Sequence, residues 1–247
     1  MSVEADIKDF LAREVGLTLD SLDRLATRSH SPNWRGVCAD GRRVVVKLVP
    51  AKVRLVQVPD PRTPQDLFPG RELRWGDRRM YVLDWKDGAV KYLDELTPAE
   101  VADLVAAHAA FCRCLGTGMI HGDFNCNNLL FAQGKVSGVL DLEAVRAGHP
   151  CEDWVRYVLT GVEHLPVFAS RRRRRTIEQF ARLVSQTPYS VADWRRAIDA
   201  FAAAKRSRKM RRGRASLFVR LNLAWRERFY GKLIDRLLQR GGEYGKG

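Results

Sequence analysis

Eight consecutive residues at positions 121–128, His-Gly-Asp-Phe-Asn-Cys-Asn-Asn, constrain the fold of this chain more than any other feature. They are mostly polar, and the apolar residues 129–131 follow them directly. A Gln-Gly-Lys turn and a second apolar run then lead to Asp141. This order predicts a loop that enters a two-stranded ribbon. Because the ribbon turns the chain back, we expect Asp123, Asn128 and Asp141 to lie around one site.

Strand-like segments dominate the sequence before residue 97, after one helical pattern at residues 3–15. Two dipeptides, Asp40-Gly41 and Gly76-Asp77, each separate a pair of apolar runs, and dipeptides of this kind favour tight hairpins. The N-terminal part is therefore expected to be a small antiparallel sheet with little helix. Its predicted strands are residues 22–27, 34–39, 42–49, 71–75 and 79–85.

Helical patterns dominate from residue 97 onward, apart from the ribbon. Thr97-Pro98-Ala99-Glu100 is a capping box with proline at the first helical position. Apolar residues then recur at helical spacing until Gly116, which predicts an amphipathic helix. His108 lies on the apolar stripe of this helix, where a buried structural histidine is favoured over a ligand. Further helices are predicted at residues 152–160, 172–185, 190–206 and 215–240.

The polar residues around the ribbon have the chemistry that phosphoryl transfer to a hydroxyl requires. Asp123 can accept or orient the proton of an acceptor hydroxyl. Asn128 offers an amide oxygen and Asp141 a carboxylate to a divalent cation, and such oxygen ligands suit magnesium better than zinc. Lys47 lies in an apolar strand, where a solvent-facing lysine is the alternative to a phosphate ligand. Because Asp123, Asn128 and Asp141 follow in this order downstream, we favour phosphate binding by Lys47.

Two segments resemble a known superfamily, the protein-kinase-like small-molecule kinases. They are His121-Gly-Asp-(four residues)-Asn128-Leu-Leu and Val139-Leu-Asp-Leu-Glu143. Aminoglycoside phosphotransferases, choline-type kinases and lipopolysaccharide core sugar kinases are similar, and His-Gly-Asp in place of His-Arg-Asp is typical of these branches. The resemblance is specific over residues 119–156, loose over 34–85 and weak after 160.

The resemblance implies an α+β, bilobal protein-kinase-like fold. Its N-lobe would be a small antiparallel β-sheet at residues 1–88, and its C-lobe would be mainly helical at residues 89–247. ATP and Mg²⁺ are the implied cofactors. The segment Gly148-His-Pro-Cys-Glu-Asp153-Trp resembles a family segment whose last aspartate supports the catalytic loop, so Asp153 is expected to have that structural role.

The resemblance also assigns roles to individual residues. Asp123 would be catalytic, and Lys47 would bind the α- and β-phosphates. Asn128 and Asp141 would hold the metal beside the nucleotide. Backbone groups from Leu83 to Trp85 would bind adenine. These assignments describe an active kinase acting on an alcohol group.

The sequence departs from the family pattern in three places. No Gly-x-Gly-x-x-Gly precedes Lys47, so residues 29–36 would cover the phosphates with few glycines. Glu143 stands where protein kinases have the glycine of Asp-Phe-Gly, which argues against a flip-type switch and offers one more metal or substrate contact. The helical glutamate that pairs with the lysine has no clear counterpart, and Glu72 is the only glutamate between residues 15 and 94. A nucleotide-binding pseudokinase is therefore an alternative.

The net charge of +14 is concentrated at the C-terminal end. Residues 1–170 contain 21 basic and 23 acidic residues, whereas residues 171–247 contain 22 and 6. An anionic partner is thus expected at residues 171–240, such as a glycolipid or an anionic membrane surface, with nucleic acid less favoured. The alternative is that these basic runs are solvated helix faces. Because aminoglycosides are polycations, this charge favours a lipopolysaccharide core sugar over an aminoglycoside or choline-type acceptor.

Location and thiol chemistry follow from simpler features. No apolar stretch approaches the roughly 20 residues of a membrane span, and residues 1–10 lack the pattern of a signal peptide. We therefore predict a cytoplasmic protein, with peripheral attachment to the inner membrane face as a further option. The five cysteines lack zinc-type spacing, which favours free thiols.

Overall fold

The computed structural model describes residues 2–26, 31–163 and 170–211, together with residues 228, 231, 232 and 235. The chain folds into two compact units. The first unit is Met1–Gly88 with Ser137–Glu143, and the second is Ala89–Val136 with Ala144–Gly247. The division into domains 1–88 and 89–247 stays a prediction, because the first unit also includes the short segment that carries Asp141.

A five-stranded antiparallel sheet forms most of the first unit, in the order β1-β2-β3-β5-β4. The Gly41 turn, at φ +79°, joins β2 to β3, and the Gly76 turn, at φ +60°, joins β4 to β5. Both predicted hairpins are therefore confirmed. The strands are β1 (Leu19–Arg24), β2 (Asn33–Cys38), β3 (Arg43–Pro50), β4 (Leu73–Trp75) and β5 (Arg78–Asp84).

The first strand begins earlier than the predicted residues 22–27. Leu19 and Leu22 are both buried, although they are three positions apart. A shift in the β1–β2 register between Leu19 and Ser21 allows this, because a bulge breaks the two-residue alternation of a strand. The two-residue alternation that predicted the other strands therefore could not give the correct start of β1.

Helix α1 (Val3–Val15) packs against the sheet at β1. It spans the predicted residues 3–15, is capped by Ser2 and ends before Gly16, and it buries Ile7 and Leu11 completely. These two side chains join one apolar core with residues of β1, β2, β3, β4 and β5. The core fixes β3, the strand that carries Lys47.

Residues 51–72 are mostly irregular, but residues 65–67 pair with β5 past the end of β4. The Leu67 N–H donates to Val82 O at 2.8 Å, and the Asp84 N–H donates to Gln65 O at 3.0 Å. The buried Asp60 carboxylate accepts two hydrogen bonds from the Arg62 guanidinium, at 2.8 and 2.6 Å. The far edge of β5 is thus covered by chain that the sequence does not predict to pair there.

Among the described residues, four helices and short strands form the second unit and the ribbon. The Thr97 hydroxyl accepts from the Glu100 N–H at 3.2 Å, and the Glu100 carboxylate accepts from the Thr97 N–H at 2.8 Å, so the capping box is confirmed. The helices are α2 (Pro98–Leu115), α3 (Pro150–Glu163), α4 (Ser170–Ser185) and α5 (Val191–Arg211). The two-stranded sheets are β6 (Met119–Ile120) with β9 (Arg146–Ala147) and β7 (Leu129–Ala132) with β8 (Lys135–Val139).

The predicted helices agree with α3, α4 and α5 except at their ends. Helix α3 begins at Pro150, two residues earlier than predicted, because proline suits the first turn of a helix. The predicted helix at residues 215–240 lies outside the described residues, apart from four single positions. Within the described part of the chain, no helix has both the length and the apolar character that crossing a membrane requires.

Aromatic side chains form the centre of the second unit. Phe124 packs edge-on against Trp154, with ring centroids 5.5 Å apart, and also contacts Tyr157. His108 is buried between Phe124 and Trp154. The structural role predicted for this histidine is confirmed. The same cluster holds Phe124, which lies in the 121–128 loop.

Candidate active site

The 121–128 loop is fixed by one buried carboxylate, that of Asp153 in α3. Asp153 accepts hydrogen bonds from the His121 and Gly122 N–H groups, both at 2.9 Å, and its Oδ2 lies 3.2 Å from His108 Nε2. Burial raises the pKa of Asp153, but the hydrogen bond and charge of His108 outweigh it, and the net pKa is lowered. Asp153 is therefore an ionised clamp for the loop backbone, as the sequence predicts.

Gly122 explains why the loop reads His-Gly-Asp. Its φ is +76°, in the region that favours glycine. A Cβ atom at this position would lie only 2.1 Å from Ala144 O. Because that atom belongs to the backbone, it cannot move aside as the end of a side chain can. The path of this loop therefore excludes arginine, or any other side chain, at position 122.

The predicted catalytic residue, Asp123, has each carboxylate oxygen bound to a different group. Arg156 Nη1 lies 3.1 Å from Oδ1, and Asn128 Nδ2 donates to Oδ2 at 3.2 Å. The Asp123 N–H donates to His121 Nδ1 at 3.2 Å. With its side chain 44% exposed, Asp123 is held in one orientation while it remains accessible.

Arg156 is a site residue that the sequence did not predict. It lies three residues after Asp153, so both side chains project from the same face of α3. The residues between them, Trp154 and Val155, are buried. In the sequence, the spacing of three residues from Asp153 is the one sign that Arg156 could lie near the loop. This spacing does not identify Asp123, which is 33 positions away, as the partner.

Asn128 is oriented so that its amide oxygen is available to a cation. Its Nδ2 donates to Asp123 O at 2.9 Å as well as to Asp123 Oδ2. Asn125 stabilises the turn between them, because its Oδ1 accepts from the Asn127 N–H and its Nδ2 donates to Asp123 O. The nitrogen of Asn128 is thus used within the loop, and the oxygen is the atom left for a ligand.

Lys47 is buried in β3 of the first unit and contacts two carboxylates. Its Nζ lies 2.5 Å from Asp141 Oδ1 and 2.6 Å from Glu143 Oε1. Burial lowers the pKa of Lys47, but the charge and hydrogen bond of Asp141 and the nearby Glu143 carboxylate outweigh it, so the net pKa is raised. Lys47 is therefore positively charged at neutral pH. It does not face solvent, which excludes the edge-strand alternative.

The partner of Lys47 is not Glu72. The Glu72 side chain is exposed, and it pairs with Arg74 at 3.0 Å and with Arg79 at 2.7 Å. The counter-charges of Lys47 come instead from the segment after β8. Glu143 contacts the lysine as an ion pair, although its Oε1 accepts no well-aligned hydrogen bond.

Asp141 has an unusual backbone conformation, with φ +60°. Aspartate tolerates this left-handed region better than most residues, but the conformation still costs about 1 kcal/mol or more. The segment is attached to the rest of the first unit where the Val139 N–H donates to Arg62 O at 2.9 Å. The Asp141 side chain is 38% exposed, and Oδ1 is the carboxylate oxygen that contacts Lys47. The other oxygen, Oδ2, can therefore bind a cation.

Leu83 and Trp85 lie at the end of β5, where their backbone groups already have partners. Leu83 is opposite Val45 in the β3–β5 pair, and the Trp85 N–H donates to Arg43 O at 3.3 Å. Adenine binding by these N–H groups would require a change of partner. The adenine role of Leu83 and Trp85 stays a prediction.

The donor atoms fit magnesium better than a softer metal. Asn128 and Asp141 both offer oxygen.

A second group, formed by His108, Cys112 and Asp153, has ligand atoms within 4.8 Å of one another. However, burial raises the pKa of the Cys112 thiol to about 12, and Asp153 already binds the loop backbone. That group is therefore structural, and all five cysteines are free thiols, as predicted.

The structure brings the predicted residues together as two sets. Asp123 and Asn128 are in contact within the second unit, together with Arg156. Lys47 and Asp141 are in contact within the first unit, together with Glu143. The catalytic, phosphate-binding and metal-binding roles of these residues stay predictions.

Comparison with known proteins identifies the class. The model of the phosphotransferase enzyme family (APH) matches residues 11–197. An aminoglycoside phosphotransferase from Alicyclobacillus acidocaldarius subsp. acidocaldarius DSM 446 has a similar structure, with a TM-score of 0.60 and 13% identity over 91% of this chain and 93% of that one. Aminoglycoside phosphotransferase APH(4)-Ia is also similar, with a TM-score of 0.57 and 13% identity over 94% and 98%. No curated protein matches the chain.

These similarities confirm the predicted α+β, bilobal protein-kinase-like fold. The fold and the family match define a small-molecule kinase, an enzyme that transfers phosphate to a hydroxyl group. The matched residues span well over half of the sequence, and the chain belongs to the phosphotransferase enzyme family.

Proposed function

We propose that this kinase uses ATP and Mg²⁺ to phosphorylate a hydroxyl of a sugar, with a lipopolysaccharide core sugar as its preferred acceptor. The observation that carries the catalytic part is the arrangement of Asp123. The backbone of its loop is clamped by Asp153, its two carboxylate oxygens have separate partners, and it is still accessible. A carboxylate held in this way suits the orientation of an acceptor hydroxyl.

Each residue would contribute one part of the reaction. Asp123 accepts or orients the hydroxyl proton while the hydroxyl oxygen bonds to the γ-phosphorus, and the bond from that phosphorus to the β–γ bridging oxygen breaks, so that ADP leaves. Lys47, which is charged because its pKa is raised, binds the α- and β-phosphates. Asn128 and Asp141 are the residues that would hold magnesium, which would neutralise charge on the phosphates. Backbone groups between Leu83 and Trp85 would accommodate the adenine.

The choice of acceptor is supported by charge. Residues 171–247 contain 22 basic and 6 acidic residues, which favours an anionic glycolipid or an anionic membrane surface. Part of the arginine run at 171–175 has internal partners, since Arg172 pairs with Asp94 and Arg174 pairs with Glu178. The support therefore comes mainly from segment 205–214, whose side chains lie outside the described residues. Aminoglycoside or choline-type acceptors are the alternative.

Turnover tests the catalytic proposal. We expect wild type to consume ATP in the presence of magnesium and a sugar acceptor, and Asp123→Ala to lose about 10²-fold or more in kcat. Asp141→Ala should lose magnesium-dependent nucleotide binding, measured by calorimetry. Equal turnover in wild type and Asp123→Ala contradicts the assignment of Asp123. Magnesium-dependent nucleotide binding without turnover would instead indicate the pseudokinase.

An acceptor panel tests the substrate proposal separately. Dephosphorylated core oligosaccharide, kanamycin, hygromycin B and choline are compared at equal concentration by phosphate transfer from labelled ATP. We expect transfer to the core oligosaccharide. Binding to vesicles that contain anionic lipid should also weaken with salt, because it depends on basic side chains. Transfer only to the cationic acceptors would support the aminoglycoside or choline-type alternative.

A further inference from the structure

We propose that Arg156 is a positioning residue for Asp123, an inference that rests on the proposed function. Its guanidinium contacts the Asp123 carboxylate, with Nη1 3.1 Å from Oδ1. The residue would orient the carboxylate toward the acceptor hydroxyl. It acts through Asp123 and need not touch the substrate.

Helix α3 holds the loop at two points through the same face. Asp153 binds the backbone N–H groups of His121 and Gly122. Arg156, one helical turn later, binds the side chain of Asp123. The helix therefore fixes both the path of the loop and the rotation of the carboxylate that the loop presents.

The position of Arg156 is itself supported from another helix. Its guanidinium carbon lies 6.0 Å from the centre of the Phe201 ring in α5, within cation–π range. An arginine that is packed on one face and paired at one end loses little further freedom when Asp123 binds a substrate. A carboxylate oxygen accepts more than one hydrogen bond, so Arg156 and Asn128 leave capacity on both Asp123 oxygens for the hydroxyl.

The arrangement separates catalysis from stability. The Arg156 and Asp123 side chains are 26% and 44% exposed, and ion pairs with such exposure contribute little to stability. Misplacement of a reacting group by about 1 Å can cost roughly 10²-fold in rate. Loss of Arg156 should therefore lower kcat while the melting temperature and nucleotide binding change little.

The test compares Arg156→Ala and Arg156→Lys with wild type, Asp123→Asn and the double variant Arg156→Ala/Asp123→Asn. We expect kcat to fall about 10- to 100-fold in Arg156→Ala, with the KM for ATP within about twofold of wild type. Arg156→Lys should recover part of the loss, because it restores the charge. Arg13→Ala is the control, since Arg13 is paired with Glu14 at the surface, is 69% exposed and lies outside the basic C-terminal region.

Two readouts distinguish positioning from a general structural effect. In the Asp123→Asn background, removal of Arg156 should cause no further loss of kcat, because the group that it positions is already altered. Added methylguanidinium should raise kcat of Arg156→Ala and leave Asp123→Asn unchanged. If Asp123→Asn is too slow to compare, the methylguanidinium experiment decides.

Failure of this inference differs from failure of the proposed function. If Arg156→Ala keeps wild-type kcat, the positioning role is wrong and the kinase assignment stands. The same conclusion follows if Arg156→Ala loses kcat and methylguanidinium does not restore it. No turnover by wild type with any acceptor overturns the proposed function, and the positioning role with it.

Discussion

Replacement of Asp153 by asparagine removes one charge from the centre of the second unit with almost no change in shape. Asp153 is fully buried and accepts from the His121 and Gly122 N–H groups through different oxygens. An asparagine has one accepting oxygen in place of two. If that oxygen faces His121 and His108, its NH₂ group faces the Gly122 N–H, and a donor then points at a donor.

The size of the effect follows from these hydrogen bonds. A buried donor left without an acceptor costs about 1–3 kcal/mol, and hydrogen bonds to a charged group contribute about 1.5–3 kcal/mol each. One lost bond and a weaker second one together suggest a loss of about 2–4 kcal/mol in the free energy of unfolding. This is a large fraction of the roughly 5–15 kcal/mol that holds a typical domain folded.

The effect should depend on pH in a definite direction. The folded-state pKa of Asp153 is lowered, so its ionised form stabilises the fold above the unfolded pKa of about 4. That contribution is lost as pH falls through the lower folded pKa. The difference between wild type and Asp153→Asn should therefore be largest near neutral pH and should shrink below about pH 4.

Urea unfolding at pH 7 and at lower pH measures both effects. Trp154 is adjacent to the mutated position and is buried, so its fluorescence reports on this region. Asp103→Asn is the matched control, because Asp103 accepts one backbone N–H, that of Val136, at 2.7 Å and is only partly buried. It should lose about 1 kcal/mol. A loss of less than about 0.5 kcal/mol in Asp153→Asn would refute the clamp.

Two further predictions concern the loop and the lysine. Gly122→Ala should lower the free energy of unfolding by about 2 kcal/mol or more, because its Cβ would collide with Ala144 O and the φ at this position is positive. The variant should also lose most of kcat. A melting temperature and kcat equal to those of wild type would contradict this prediction. Lys47→Met should weaken ATP binding at least about tenfold in calorimetry, because a charged phosphate ligand is lost. Glu143→Gln should weaken it less, and Glu72→Gln should leave it unchanged because Glu72 pairs with Arg74 and Arg79 and not with Lys47. An effect of Glu72→Gln equal to that of Lys47→Met would refute the assignment.

Local signals in the sequence were enough to predict most of the secondary structure. The hairpins depend on glycines at positive φ, and helix α2 depends on the Thr97 capping box, and each signal acts over a few residues. The contact between Asp123 and Asn128 is local for the same reason, because both lie in one short loop. Where the signal is local, sequence and structure agree.

Features that depend on distant partners could not be predicted in this way. The register shift in β1 exists because Leu19 and Leu22 both face the core that α1 completes. The pairing of Leu67 with β5 is set by the sheet edge that the short β4 leaves uncovered. Arg156 is one of many arginines in the sequence, and only the packing of α3 places it beside Asp123.

The ion pairs of Lys47 give a physical reason for Glu143. Burial lowers the pKa of Lys47 and so disfavours its charged form, and nearby carboxylates oppose this effect. Asp141 supplies one counter-charge, but the same carboxylate is the proposed ligand of magnesium. If Asp141 binds a cation, its attraction for Lys47 falls, and a second carboxylate must keep the lysine charged and in place. Glu143 contacts Lys47 Nζ at 2.6 Å and can do this. Glu143 therefore gives Lys47 a counter-charge that a glycine at this position could not supply.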